Sequence, residues 1–176
     1  MNKKIKFKIE RLIKSTAYDL RGINILLPQQ ADKPRLLNMA ELKRVLDQKC
    51  IRMYVARTQI RGKTTIVGMG SVILYWVPTG LIAFIEELTV DEHFRGHKLG
   101  FRIVERLIKD AKESKAKHIS TYTNPKRLAA NAIYKKLGFF KKETNFYRIN
   151  IHLPKPTAKK AINNILKYQK KYGHLL

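Results

Sequence analysis

Val90-Asp91-Glu92-His93-Phe94-Arg95-Gly96-His97-Lys98-Leu99-Gly100 is the stretch on which the fold assignment turns. An apolar run over residues 81–90 ends here, and a basic turn with two glycines follows. From Leu99 the apolar period becomes that of a helix: Leu99, Ile103, Val104, Leu107, Ile108 and Ala111 form one stripe. Arg102, Glu105, Arg106, Lys109 and Lys112 take the remaining surface. Strand, glycine-containing turn and helix together can make an anion site. Glycine lets the backbone come close, and the first free N–H groups of the helix point at the ligand. Arg95 and Lys98 would add charge-assisted contacts. A tight loop with a solvated basic turn has the same local pattern. Two phosphate motifs do not fit: the spacing is not G-x-x-x-x-G-K-[ST], and a dinucleotide fingerprint lacks its third glycine and its ribose-binding acid.

Upstream, residues 5–11 alternate as a first strand, and Ser15 or Thr16 can cap a helix running toward Pro28. Residues 31–38 read as loop, 39–49 as a short helix carrying Leu42, Val45 and Leu46, and 51–57 as the second strand. Gly62-Lys63 is a turn before a long β-branched and aromatic run over 64–76, and Pro78-Thr79-Gly80 is the next turn. Strands two, three and four therefore make an antiparallel meander. Downstream, a fifth strand over 118–123 is reached by a helical crossover and so runs parallel to the fourth. A helix over 127–137 ends at Gly138. Residues 139–143 and 146–153 read as closing strands. Pro154 and Pro156 divide a domain of residues 1–153 from a basic helical extension, 154–176, with its helix over 157–171.

One domain is what 176 residues provide. No apolar run is long enough to span a membrane, and the basic N-terminus has no apolar segment behind it, so a cytoplasmic location is expected. Cys50 is the single cysteine, which rules out an internal disulfide, and it reads as a buried structural thiol. Thirty-seven Lys and Arg against thirteen acids give a formal charge of +24. Such a field attracts polyanions. His93 and His97 lack a third ligand, so no metal is expected. His118 reads as a surface residue, and Asp91 and Glu92 as capping or solvating the loop. Tyr75 and Trp76 read either as core or as lining of an acceptor cleft.

The order and the residues resemble the GNAT superfamily of N-acetyltransferases. The family's loop has the form [Gln/Arg]-x-x-Gly-x-[Gly/Ala], matched by Arg95-Gly96-His97-Lys98-Leu99-Gly100, with Lys98 where the pattern usually has glycine. Its later signature, a helix ending in Tyr-x-x-x-Gly-Phe, is matched by Tyr134-Lys135-Lys136-Leu137-Gly138-Phe139. The resemblance covers roughly residues 5–152. It implies an α/β fold with a mixed, mostly antiparallel sheet, flanked by helices, in which the parallel fourth and fifth strands splay apart. It implies acetyl-CoA as cofactor, its pantetheine arm on Leu88, Thr89 and Val90. The diphosphate would lie on the amides of Arg95, Gly96, His97, Lys98, Leu99 and Gly100. Asn131 would contact the arm or the diphosphate region, and Tyr134 would point at the sulfur and protonate it. Glu86 or Glu87, with Glu87 preferred, would receive the amine and its proton; strict alternation sends the two to opposite faces.

The expected activity is acetyl transfer from acetyl-CoA to a primary amine, of a small molecule or a peptide, in a ternary complex. The alternative is a nucleic-acid or ribosome-binding module that retains the acetyltransferase fold, with the basic tail as a polyanion contact. Either a monomer or a homodimer fits.

Overall fold

The computed structural model describes residues 5–30 and 35–149. The elements are β1 Lys8–Arg11, α1 Ala17–Leu26, α2 Met39–Leu46, β2 Ile51–Ile60, β3 Lys63–Val77, β4 Gly80–Val90, α3 Leu99–Glu113, β5 Ile119–Thr121 and α4 Leu128–Lys136. Short 3-10 turns follow α1 and β4, at Leu27–Gln29 and Glu92–Phe94. The sheet order is β1-β2-β3-β4-β5. Every neighbouring pair is antiparallel except β4 and β5, which are parallel because α3 carries the chain across one face between them. The fold is thus the mixed α/β sheet that the resemblance implies.

Alternation divides the core between the two faces. Tyr54 and Ala56 of β2, Val72 and Leu74 of β3, and Ala83, Ile85 and Leu88 of β4 point toward α3. There they meet Leu99, Ile103, Val104, Leu107 and Ala111, the stripe read from the sequence. Met53 and Val55 of β2 and Ile66 and Met69 of β3 point the other way, against Ile23 and Leu26 of α1 and Leu42 of α2. Each of these two helices opens with a capping box, Thr16 with Asp19 and Asn38 with Glu41, which satisfies N–H groups that the first turn leaves unpaired.

Three sequence expectations need correcting. No residue from 139 to 149 pairs into a strand; the positions 150–153 of the second expected strand, and the helix over 157–171, lie outside the described residues. Phe140, Phe146, Tyr147 and Ile149 are exposed, and Phe146 is held by a ring contact to Tyr122. Cys50 is exposed, because α2 stops at Leu46 and the turn over 47–50 carries the thiol outside before the buried part of β2 begins at Met53. Trp76, 78% exposed, and Tyr75 are not core residues. Trp76 pairs with Leu81 by the β3–β4 hairpin, at the end of β4 away from the Val90 loop.

Arg57 of β2 joins the first layer together. Its guanidinium donates to Asp19 of α1 and, at 2.7 Å, to Glu10 of β1. Burial alone would raise the Asp19 pKa, but Arg57 and two hydrogen bonds from Thr16 hold it below its ordinary value. A group depressed in this way lends stability that is complete above the unfolded carboxylate pKa and lost as pH falls through the folded one. Asp19→Asn should therefore lower the unfolding free energy by about 2–3 kcal/mol at pH 7. Urea titrations should show an unchanged slope, and the deficit should shrink below about pH 4.

Candidate active site

β4 and β5 pair at three positions, Ala83 with Ile119, Phe84 with Ser120 and Ile85 with Thr121, and then stop. On its other edge β4 changes register at the same level. Ser71 of β3 pairs with Glu86 and Met69 with Thr89, so Gly70 alone stands opposite Glu87 and Leu88. This is a β-bulge, which bends the strand and frees backbone groups from the ladder. Glu87 takes the left-handed conformation that the extra residue requires, with φ 59°. Gly70 is needed beneath it: a Cβ there would lie 2.9 Å from Ile103 Cγ2 and 3.4 Å from Leu88 Cδ1. β5 ends at Thr121, so past Ile85 this edge of β4 has no strand partner and faces the segment that follows β5; that unpaired stretch is the gap.

The gap ends at the Val90 loop. Asp91 N–H still bonds Val67 O at 3.0 Å, and the buried Asp91 carboxylate caps the following turn through His93 N–H at 2.9 Å. Asp91 thus caps, as expected. Gly96 (φ 82°) and Lys98 (φ 58°) are both left-handed, so Lys98 adopts the backbone for which a glycine is the usual choice. α3 then begins without a side-chain cap and without an acid in its first turn. No side chain caps its first amides, and Arg95, His97 and Lys98 just before them are all exposed. That is an electropositive helix N-terminus suited to an anion. Gly100 has a packing role: a Cβ there would sit 3.0 Å from Ile133 Cδ1 of α4 and 3.7 Å from Val90 Cγ2. The His97 ring lies 5.2 Å from that of Phe7. Among the described residues no cluster of metal-binding side chains occurs.

Tyr134 reaches the gap from the α3 side, 93% buried and packed on Phe139. Burial pushes its phenol pKa up and the Glu86 charge adds to this, while Thr121 and Arg127 oppose. Glu86 comes from the opposite face of β4, since Ile85 between it and Phe84 points into the core. Burial and then the Glu87 charge raise the Glu86 pKa, against Arg148 and a Glu87 backbone hydrogen bond. Glu86 is therefore the carboxylate that acts on the Tyr134 phenol. Glu87, also exposed, sits in the bulge. Asn131 Nδ2 donates to Asn124 O and Arg127 O, both at 3.0 Å, and so fixes the turn that leads from β5 into α4.

Several neighbours escaped the sequence reading. Arg127 spans the gap, donating to Leu88 O at 3.2 Å. Thr121 faces the Tyr134 phenol. Gln29 and Gln30, in the turn after α1, tie that layer to the end of β4: Gln30 Oε1 accepts from Thr89 Oγ1 at 3.0 Å, and Gln29 Oε1 from Glu92 N–H at 2.9 Å. Only Arg127 left a signal, a cation just before a helix whose dipole disfavours it.

Comparison with known proteins agrees with this geometry. The family described as Acetyltransferase (GNAT) family matches residues 21–139. A curated relative, an uncharacterized N-acetyltransferase of Dictyostelium discoideum, is 38% identical over 69 residues, 39% of this chain; the match spans about a third (32%) of that relative's length. Solved structures share the fold. A Trypanosoma brucei acetyltransferase superposes with TM-score 0.67 at 24% identity over 83% of this chain and 100% of that one. Arabidopsis thaliana glucosamine-6-phosphate N-acetyltransferase gives 0.66 at 20%, over 82% and 98%. An aminoglycoside N-acetyltransferase solved with CoA gives 0.66 at 15%, over 86% and 99%. The split sheet, the uncapped basic helix start and the match over residues 21–139 place the chain in the GNAT acetyltransferase family.

Proposed function

We propose that this protein is an acetyl-CoA-dependent N-acetyltransferase that acts on a primary amine by direct transfer within a ternary complex. The observation that carries the proposal is the gap beyond Ile85 and Thr121, which Tyr134 reaches from one face of the sheet and Glu86 from the other. The residues present fit the cofactor. The uncapped start of α3 with Arg95 and Lys98 suits its diphosphate, and the bulged edge at Leu88–Val90 suits its amide-bearing arm. When bound, acetyl-CoA supplies an activated acyl group on a thiol leaving group.

The residues then divide the work. Glu86 attracts the ammonium form of the acceptor and takes a proton from it, directly or through water, so that the neutral amine can attack the thioester carbonyl. Backbone N–H groups of residues 88–90 stabilise the carbonyl oxygen as it gains negative charge. As the C–N bond forms and the C–S bond breaks, Tyr134 O–H protonates the departing sulfur, leaving an amide and a free thiol. A phenol with a raised pKa stays protonated through neutral pH and remains a competent donor. Arg127 must release Leu88 O for the arm to enter.

Three outcomes test the reading. Tyr134→Phe should lower kcat about 100-fold, with calorimetric affinity for acetyl-CoA nearly unchanged. Glu86 must be ionised to act, and its pKa lies above the ordinary carboxylate value. The kcat/KM profile should therefore fall as pH drops through that raised value, and Glu86→Gln should remove this acidic limb and cost about tenfold or more at neutral pH. Gly100→Val forces methyl groups against Ile133, shifts the start of α3 and should weaken acetyl-CoA binding at least about tenfold by calorimetry.

A further inference from the structure

Glu86 shares its face of β4 with Phe84, and Phe84 begins a ladder of rings. The Phe84 and Tyr122 centroids are 4.8 Å apart, those of Tyr122 and Phe146 4.6 Å, and the Arg148 guanidinium lies 5.5 Å from the Phe146 ring. Tyr122 and Phe146 remain 60% and 55% exposed, so the ladder presents an open apolar surface. It leads back to the carboxylate, for the Arg148 charge acts on Glu86. Across the gap stands the second guanidinium, Arg127, on Leu88 O two residues beyond Glu86. Glu86, with Glu87 beside it in the bulge, therefore shares this face with the Arg148 guanidinium, in a chain of net charge +24.

We propose that the acceptor carries an anionic group, carboxylate or phosphate, a few bonds from its amine, with Glu86 receiving the ammonium and Arg148 the anion. The proposal rests on the acetyltransferase reading above and names its substrate class. The exchange is favourable on simple grounds. An exposed Glu–Arg interaction is weak and easily replaced. A zwitterionic acceptor puts its ammonium where Arg148 acted on Glu86 and offers Arg148 an anion in return. Guanidinium is the side chain best matched to carboxylate and phosphate, which it can bind through two parallel hydrogen bonds. A polyamine would offer Arg148 no anion, and its charges beyond those that Glu86 and Glu87 can meet would stand against Arg148 and the field of the whole protein. The half-exposed rings of Tyr122 and Phe146 give the acceptor's carbon chain an apolar wall.

The test is kcat/KM, read by free-thiol release, for matched amines: 4-aminobutyrate against butylamine, phosphoethanolamine against ethanolamine, and spermidine alone. Acetyl-CoA affinity is measured in parallel by calorimetry. The anionic member of at least one pair should be preferred at least about tenfold, and the pair that responds tells carboxylate from phosphate. Arg148→Gln should bring that preference to within about threefold and Arg148→Lys should keep part of it, while melting midpoints confirm that both variants fold. Overturning results are butylamine, ethanolamine or spermidine used as well as the anionic amines, a preference that survives Arg148→Gln, or neither anionic amine acetylated by protein that binds acetyl-CoA. Each of these leaves cofactor binding standing. Protein that neither binds acetyl-CoA nor releases thiol with any amine overturns the acetyltransferase reading as well.

Discussion

The β4–β5 ladder stops after three rungs, and the gap beyond it depends on what ends the pairing. After Ile85 and Thr121 the β4–β5 ladder has no further rung, and at that level β4 carries one more residue than its other neighbour can match. A strand bulged on one edge is bent and more strongly twisted, so it cannot follow a straight partner on the other. The bulge is held by packing: Ile103 and Leu88 close over Gly70, and Glu87 accepts a left-handed backbone. Strain of this kind, of order 1–3 kcal/mol, persists where the surroundings over-determine it. Here the surroundings are the α3 face of the core, so the hydrophobic stripe of one helix keeps a polar gap open along β4.

The same helix sets the second half of the site. Its buried stripe fixes the height at which α3 leaves the sheet, and Gly100 lets that first turn lie against Ile133 and Val90. The start of α3 is therefore held next to Val90, at the end of β4. Lys98 costs some backbone strain and adds a positive charge where glycine would offer none. A side chain that both adopts the left-handed turn and adds charge would suit the anion-binding role proposed for this loop.

Much of this was legible in the residue order. The period change at Leu99, the turn glycines and the crossover before the fifth strand are local signals, and they give the meander, the parallel pair and the basic loop. What could not be read depends on contacts distant in sequence. Alternation says that Glu86 and Glu87 face opposite ways, but one bulge residue breaks the alternation at that point. The exposed Cys50 follows from where α2 ends, a boundary that Leu46 and Asp47 do not announce. The apolar residues of 139–149 look like strand material, yet Phe146 is held by the Tyr122 ring and not by a ladder. Arg127 and Gln30 meet β4, and Gln29 the turn just after it, from 39 to 63 residues away along the chain, and no local spacing could have paired them.

The charge distribution links these parts. The overall positive field acts at long range and is screened over about 8–10 Å at ordinary ionic strength. It favours the arrival of an anionic cofactor and of any anionic acceptor alike. Proton removal from the amine has the opposite requirement, a local negative charge. In the proposed reaction Glu86 would meet it inside the basic surroundings, because burial and Glu87 raise its pKa by more than Arg148 lowers it. A base surrounded by cations alone would be held too acidic to accept a proton well. Placing the second carboxylate next to the first, in the strained bulge residue itself, keeps the Glu86 pKa raised with Arg148 still beside it.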